Sequence, residues 1–285
     1  MRHPVHENGL FRGREIYFEA PIHILGRFCG WPSKDLHPLG KGILVVGLLF
    51  LLSPAVLHAQ AQLENMSLDK WEKKGKVWYV KHWDSGNKGT CTLGKNVTLP
   101  EDDFVAVKGE GKRAARLKSE FVGVLGIGKF ASASIYTGEF IKVVGKRGVQ
   151  LTFGVPFTQR PLSLHGYYAY TPGIIDYAAK NMKSKLGQTD HGHIEIYLTV
   201  WDKPFFIDNT KDIALDPKAP DVIGYGVLDL STPTDGYVEF NIPIVYASDA
   251  TPTYIGIMAS SSRWGGYFTR STQSLLYLDE LELRY

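Results

Sequence analysis

Residues 156–173 read PFTQRPLSLHGYYAYTPG, and they set the pattern for the whole chain. Pro161 has no backbone donor and biases Arg160 towards an extended conformation, which suits the entrance of a strand. Residues 162–170 predict a short strand that ends in an aromatic cluster, and residues 171–173 (TPG) predict the turn that closes it. The stretch therefore indicates β-structure punctuated by proline and glycine.

Two interpretations of Arg160 stay open at this point. A structural arginine would satisfy backbone carbonyls and stack on a tyrosine ring. A functional arginine would form the polar floor of a sugar site with aromatic walls. Because a guanidinium always carries its charge, it needs acceptors, and we predict Asp190 as its partner.

The residues on both sides of this stretch repeat the strand-and-turn pattern. Residues 194–201 are the clearest strand, because Ile194, Ile196 and Leu198 alternate with polar or aromatic residues. About ten such short segments, with almost no helical periodicity, predict an all-β fold, an antiparallel β-sandwich of the jelly-roll type. Residues 174–186 predict either a short helix or an irregular excursion. We expect residues 62–285 to form one domain.

The N-terminal 61 residues are predicted to lie outside this domain, as an upstream extension followed by a secretory signal peptide. Residues 43–57 (ILVVGLLFLLSPAVL) are apolar, follow Lys41 and precede the small residues Ala59 and Ala61. The apolar run is shorter than the roughly 20 residues that a membrane-spanning helix needs, which favours cleavage without a remaining transmembrane anchor. The expected location is the periplasm, the cell surface or the medium.

The charge and the cysteine count limit the function further. Residues 1–61 hold six of the 32 basic and four of the 29 acidic residues, so the remainder carries 26 and 25. A near-neutral balance argues against a nucleic-acid partner, because such proteins cluster positive charge. Beyond Cys29, Cys91 stands alone, so we expect no internal disulfide and a buried thiol.

The sequence lacks the motifs of serine hydrolases, zinc peptidases and nucleotide-binding loops. His191 and His193 lie beside Asp190, but a third metal ligand is missing from the pattern. If the protein hydrolyses glycosides, two carboxyl groups must flank one bond. The catalytic candidates for that alternative are Asp190 or Glu195 together with Glu239.

Asp279 shares its alternation with the leucines of the last predicted strand. A carboxyl group among apolar neighbours is costly unless it is hydrogen-bonded or binds a cation. Asp279 is therefore either a structural acid or a ligand of a structural Ca²⁺ ion. No cofactor is required by any motif.

Aromatic and polar residues in predicted loops and at strand ends suit a glycan, because sugars stack their C–H faces on rings and need a few fixed polar partners. The candidate carbohydrate-binding residues are Trp83, Asn87, Arg160, Tyr167, Tyr168, Tyr170, Trp264 and Tyr267. The alternative is a structural role, in which these aromatics fill the sandwich core and cover its edges.

Several segments in a fixed order resemble one known family. They include WDSGN at 83–87, ARLKS at 115–119, YTGEF at 136–140, GVPF at 154–157, GYYAY at 166–170 and LYLDE at 276–280. From about residue 63 to residue 285 the chain closely resembles the putative carbohydrate metabolism domain family, which comprises exported proteins of gut-dwelling Gram-negative bacteria. It departs from the family at Ala169, where a Lys is usual, and at residues 265–266, where Gly-Gly replaces Gly-Asp. The resemblance implies a jelly-roll sandwich like those of carbohydrate-binding modules.

The leading hypothesis is an exported, non-catalytic glycan-binding sandwich that takes part in glycan recognition or utilisation. The first alternative is a glycoside hydrolase or related carbohydrate-active enzyme that uses paired carboxylates. The second is a structural or adhesin-type module of the cell surface. Convergence of Arg160, Trp83 and Trp264 on one cleft would favour the leading hypothesis.

Overall fold

The computed structural model describes residues 60–91, 94–107, 113–124, 127–145, 148–211 and 213–285. Residues 1–59 of the predicted extension and signal peptide lie outside the described residues. Within the described ranges, no helix has the length and apolar character required to cross a membrane.

Short strands account for most of the regular secondary structure in the described chain. The first ten are β1 (Trp71–Lys74), β2 (Val77–Val80), β3 (Asp84–Ser85), β4 (Thr98–Glu101), β5 (Ala114–Lys118), β6 (Glu120–Val124), β7 (Ile127–Ala131), β8 (Ser134–Tyr136), β9 (Gly138–Val144) and β10 (Gly148–Phe153). The others are β11 (Val155–Pro156), β12 (Ser163–Thr171), β13 (Gly192–Thr199), β14 (Phe205–Asp208), β15 (Val222–Leu230), β16 (Val238–Pro243), β17 (Val245–Tyr246), β18 (Tyr254–Ser260) and β19 (Leu275–Arg284). A four-residue α-helix, Asn87–Thr90, and two 3₁₀ helices, Lys180–Lys185 and Gly265–Tyr267, interrupt them.

The strands build two large antiparallel sheets, which confirms the predicted β-sandwich class. One sheet has the order β16-β12-β19-β5-β4. The other has the order β17-β15-β13-β18-β8-β3, with β11 also paired to β18. The stretch that opened the sequence analysis supplies β12, which lies between β16 and β19.

The hydrophobic core lies between the two sheets because each strand points alternate side chains inwards. Ile194, Ile196 and Leu198 of β13 face Leu276 and Leu278 of β19 in one buried cluster. The side chains of opposite parity on each strand therefore lie on the two outer faces of the sandwich. These outer faces are where the polar candidates of the sequence are placed.

A β-bulge in β19 changes which residues face the core. Glu280 has a φ of 46°, and the pairing of β12 with β19 shifts between His165 and Tyr167. An extra residue at a bulge reverses the parity of everything that follows. Leu281 therefore faces the core although Asp279 does not, and the predicted single face through these residues is wrong.

Smaller sheets and the 3₁₀ helices cover parts of the sandwich. β14, β10 and β9 form a three-stranded sheet, whereas β1 pairs with β2 and β6 pairs with β7. The excursion between β12 and β13 contains the 3₁₀ helix Lys180–Lys185 within otherwise irregular chain.

Candidate functional site

The outward side chains of β8, β18, β13 and β15 form the surface that we call the seven-strand face. Cross-strand pairs align Tyr136 with Met258, Met258 with Glu195, and Glu195 with Val227. Other pairs on the same face are Ser260 with His193, His193 with Asp229, and Tyr197 with Tyr225. These residues point outwards because their neighbours on β13, Ile194 and Ile196, are in the core.

One end of the seven-strand face is covered and the other is open. Phe153 of the three-stranded sheet packs edge-on against Tyr197, with ring centroids 5.7 Å apart. It also contacts Trp201, at 6.4 Å between centroids. Towards the other end, Val227 and Asp229 are exposed. This exposed part of β15 is accessible to a ligand.

Glu195 lies nearly buried where the open part begins. Its Oε2 accepts a hydrogen bond from the Tyr197 hydroxyl at 2.9 Å. Its Oε1 is 4.0 Å from Nη1 of Arg263. Burial raises the pKa of the Glu195 carboxyl, while the hydrogen bond from Tyr197 and the charge of Arg263 offset part of the increase. A buried acid with a perturbed pKa beside a specific cation is a physical marker of a functional site.

Asp229 lies next to Glu195 on the neighbouring strand. Its Oδ1 accepts a hydrogen bond from Nη1 of Arg263, the same nitrogen that approaches Glu195. The two carboxyl groups thus flank one guanidinium. Asp229 is not among the residues predicted from the sequence, although its outward parity with Tyr225 and Val227 in residues 222–230 is a usable signal.

Two buried polar atoms on this face have no hydrogen-bond partner among the described residues. They are Nδ1 of His193 and the hydroxyl of Tyr136. Burial lowers the pKa of His193 to about 4, and the nearby Arg263 charge acts in the same direction. His193 is therefore neutral near pH 7 and adds no positive charge to the site. Buried polar groups are normally satisfied, so each exception needs an explanation.

The loop after β18 carries Arg263, Trp264 and Tyr267, and Arg263 reaches Asp229 at the open end. The Arg263 amide donates to the His191 carbonyl at 2.5 Å, which ties the loop to the start of β13. The Lys185 ammonium lies over the Trp264 ring, 5.0 Å from its centroid. Tyr267 is 51% exposed, so its ring offers more free surface for stacking than the buried aromatics do.

Asp190 anchors this loop and is fully buried. Its Oδ2 accepts from the Ser262 hydroxyl at 2.5 Å, the Ser271 amide at 2.9 Å and the Ser274 hydroxyl at 3.0 Å. Its Oδ1 accepts from the His191 amide at 2.9 Å. With these donors in place Asp190 acts as a structural acid, and the predicted pair with Arg160 is wrong.

Arg160 instead lies at the edge of the sandwich. Its guanidinium donates to the Ser248 carbonyl at 2.9 Å and to the Ala250 carbonyl at 2.5 Å. The guanidinium carbon is 4.0 Å from the centroid of the Tyr246 ring. The structure thus shows the structural alternative for Arg160, with carbonyl acceptors and a stacked tyrosine.

Trp83 and Asn87 are buried, which corrects their expected exposure on a loop. Trp83 is 6% exposed and its indole N–H donates to the Glu64 carbonyl at 3.2 Å. The Asn87 amide group donates to the Thr98 carbonyl at 2.6 Å, and its Oδ1 accepts from the Val97 amide at 2.9 Å. Both residues stabilise the N-terminal part of the domain in this structure.

The three tyrosines of β12 divide between the two sides of their sheet. Tyr168 packs in the core against Phe240, and Tyr170 is buried with its hydroxyl donating to the Ser261 carbonyl at 3.1 Å. Tyr167 has the opposite parity and contacts the ring of His165 edge-on. It therefore belongs to the outer surface of the five-stranded sheet, which we call the five-strand face.

Glu239 also lies on the five-strand face, opposite to Glu195. Its Oε1 is 2.7 Å from Nε2 of His165 and 3.8 Å from Nη2 of Arg284. A groove of about 330 Å³ beside them is lined in part by His165, Tyr167 and Glu282. The structure does not bring Glu239 together with Glu195 or Asp190, because the sandwich core separates the two faces.

Asp279 faces outwards beneath the chain that follows β4. Its Oδ2 accepts from the Ala106 amide at 2.8 Å and its Oδ1 accepts from the Glu280 amide at 3.0 Å. Burial raises the pKa of Asp279 to about 6. Within the described ranges no group of three or more His, Cys, Asp or Glu side chains is placed to hold a metal ion. The contacts are those of a structural acid, and the calcium ion stays a prediction.

Comparison with known proteins places this chain in a family. The family described as a putative carbohydrate metabolism domain matches residues 62–284, so the chain belongs to it. No curated protein matches.

Two solved structures share the fold. A crystal structure of a putative glycoside hydrolase from Bacteroides thetaiotaomicron is 20% identical, with a TM-score of 0.60, over 77% of this chain and 70% of its own. Another putative glycoside hydrolase, from Bacteroides vulgatus, is 18% identical, with a TM-score of 0.55, over 75% of this chain and 89% of its own. At these identities the similarity establishes the fold.

Proposed function

We propose that this protein binds a poly- or oligosaccharide at the open end of the seven-strand face. The observation that carries the proposal is the cluster in which the nearly buried Glu195 and the exposed Asp229 share the guanidinium of Arg263. Sugar hydroxyls donate and accept at once, so they suit a site of mixed carboxylate, guanidinium and phenol groups.

The exposed ring of Tyr267 supplies the apolar surface that a pyranose face needs. Stacking on an aromatic ring contributes to sugar affinity beyond the hydrogen bonds, and Tyr combines a large contact area with few rotatable bonds. Membership of a carbohydrate metabolism family supports the same ligand class. The proposed location is outside the cytoplasm, because residues 43–61 have the composition of a signal peptide and its cleavage site.

A binding screen with two matched tyrosine variants tests the site. Plant and host polysaccharides are assayed by affinity electrophoresis, and each ligand found is then measured by calorimetry. Tyr267→Ala should weaken binding roughly tenfold, which corresponds to about 1.4 kcal/mol. Tyr167→Ala removes the same ring from the five-strand face and should leave affinity unchanged. No glycan bound by the folded wild type, or an effect confined to Tyr167→Ala, contradicts the proposal.

A glycoside hydrolase is the second candidate, and the Glu195–Asp229 pair specifically favours it. Both carboxyl groups approach the same nitrogen of Arg263, so they lie in one cluster, as the two carboxyl groups of a glycoside hydrolase must. Glu195, with its raised pKa, would protonate the leaving oxygen. Asp229 would act from the other side on water or on the sugar.

Release of reducing sugars from the same polysaccharides tests this second candidate. Glu195→Gln and Asp229→Asn should each abolish turnover, whereas Glu239→Gln on the other face should retain it. Turnover that survives both of the first two changes refutes the assignment of these acids. The mature N-terminus, determined by N-terminal sequencing of the native protein, tests export: retention of residues 1–61 contradicts it.

A further inference from the structure

The charges of the seven-strand face restrict which glycans it can accept, and this inference rests on the proposed function. Asp229 and Glu195 contribute two carboxyl groups to the site, while Arg263 contributes the guanidinium that both approach. His193 is held neutral by burial, with its pKa lowered to about 4. The two carboxyl groups of the site therefore outnumber its single guanidinium.

We infer that the ligand is a neutral glycan, without uronic acid or sulfate groups at the bound sugars. A carboxylate or sulfate needs a free cation or several free N–H donors in the site. Nη1 of Arg263 is already hydrogen-bonded to Asp229, and Glu195 lies 4.0 Å from the same atom. An acidic sugar bound at Arg263 would bring a further negative charge beside Asp229 and Glu195, and like charges that face each other cost affinity.

A neutral sugar meets no such conflict. Its hydroxyls donate to Asp229 and Glu195 without separating either from Arg263. The carboxylates that repel an acidic glycan are thus the acceptors that recognise a neutral one.

The basic segment beside the loop does not change this balance at the sheet. Lys180 and Lys183 of the 3₁₀ helix are exposed, and Lys185 is engaged with the Trp264 ring. Exposed ammonium groups are hydrated and screened over about 8 Å at physiological ionic strength. They contribute a long-range attraction for polyanions that is lost in salt, which makes them separable from the sheet by experiment.

The first test uses chemically matched polysaccharides at physiological salt. Polygalacturonate and other uronate-containing polysaccharides are compared with their own carboxyl-reduced forms, alongside neutral plant polysaccharides. We expect binding of neutral or carboxyl-reduced chains at least roughly tenfold tighter than of the acidic parents. Tighter binding of an acidic parent overturns the neutral-glycan inference but leaves the glycan-binding function intact. If the folded protein binds none of the chains, both are overturned.

The second test removes the charge of Asp229 that pairs with Arg263, which should shift the preference from neutral towards acidic glycans. Asp229→Asn keeps the side-chain shape and removes the charge that occupies the guanidinium, so binding of the acidic parents should rise roughly tenfold relative to the reduced forms. Adding Arg263→Gln should cancel that rise. Asp235→Asn, which removes an exposed carboxylate from the connection between β15 and β16, is the control and should change nothing.

A null result in the second test is also decisive. If Asp229→Asn is folded by thermal melting and gains no affinity for the acidic chains, Arg263 does not set the charge preference and the inference fails. If acidic chains bind the wild type and Lys180→Ala with Lys183→Ala removes that binding, the ligand site is the basic segment instead. Should Asp229→Asn fail to fold, the wild-type comparison of matched polysaccharides still decides the inference.

Discussion

Each outer face of the sandwich carries a nearly buried histidine close to two acids and an arginine, but the hydrogen bonding of the two histidines differs. The five-strand face has His165 with Glu239 2.7 Å away, Glu282 3.6 Å away, and Arg284 bridging the two acids. The seven-strand face has His193 with Asp229, Glu195 and Arg263. Both histidines are nearly buried.

The difference between the faces is hydrogen-bond satisfaction. Both ring nitrogens of His165 have a carboxylate nearby, whereas Nδ1 of His193 has no partner within the described residues. A satisfied cluster stabilises the fold and has little left to offer a ligand. An unsatisfied buried group costs stability, so its presence on the seven-strand face needs an explanation beyond packing. The same composition therefore predicts structure on one face and recognition on the other.

Loss of the Asp190 carboxylate should have the largest effect on stability. Among the two faces, only the seven-strand face should lose ligand binding as a result. Asp190→Ala leaves the Ser262 and Ser274 hydroxyls and the Ser271 and His191 amides without their buried acceptor. We expect a loss of about 3 to 5 kcal/mol in unfolding free energy. Urea unfolding measures it.

Asp190→Asn keeps one acceptor oxygen and is the matched control, with a smaller loss expected. Because Asp190 holds the loop of Tyr267, glycan affinity should fall with stability in both variants. A stable Asp190→Ala protein would show that the loop is anchored elsewhere.

The pH dependence of stability should have opposite signs on the two faces. The pKa of His193 is lowered from 6.5 to about 4, so the unfolded state binds more protons between these values and His193 makes stability rise with pH there. The pKa of Asp279 is raised from 3.8 to about 6, so the folded state binds more protons and Asp279 makes stability fall as pH rises through that window. Each contribution is worth at most about 3 kcal/mol.

Urea unfolding near the two ends of this pH range separates the contributions. As the pH rises through this range, the unfolding free energy of His193→Gln should increase less than that of the wild type. The unfolding free energy of Asp279→Asn should increase more than that of the wild type. Equal pH profiles for the two variants would break the comparison between the faces.

Matched arginine variants should distinguish the faces by binding. Arg263→Ala removes the guanidinium between Glu195 and Asp229 and should weaken glycan binding by at least about tenfold, or 1.4 kcal/mol. Arg284→Ala removes an exposed guanidinium between Glu239 and Glu282 and should change stability by less than about 1 kcal/mol and binding not at all. Calorimetry and thermal melts of both variants check this; a binding loss with Arg284→Ala alone would transfer the site to the five-strand face.

Arg160 belongs to neither face and should show the smallest effect. Arg160→Ala removes two hydrogen bonds to carbonyl oxygens and a stacked contact with Tyr246 at a part-exposed edge. We expect a stability loss of about 1 kcal/mol and unchanged glycan affinity. A loss of binding with normal stability would restore the original hypothesis that Arg160 lines the sugar site.

The fold was more accessible from sequence than the site was. Alternation of apolar residues such as Ile194 and Ile196 reports directly which side chains face a core, so strands and sandwich class were predictable. The site needs residues from β13, β15 and the loop after β18 to meet. Their registers depend on pairing that no local pattern encodes. Glu195 and Tyr267 were named from sequence, whereas Asp229 was missed and Glu239 was assigned to the wrong partner.

The sequence alone determined the all-β class and the family. These properties follow from composition, periodicity and ordered motifs, which are local. The tertiary structure decided the burial of Trp83 and Asn87, the acceptors of Arg160 and the parity change at Glu280. It also decided which of two similar polar clusters is satisfied. Burial and hydrogen-bond satisfaction are properties of residues brought together from distant parts of the chain, and so they emerge only when the sheets are packed.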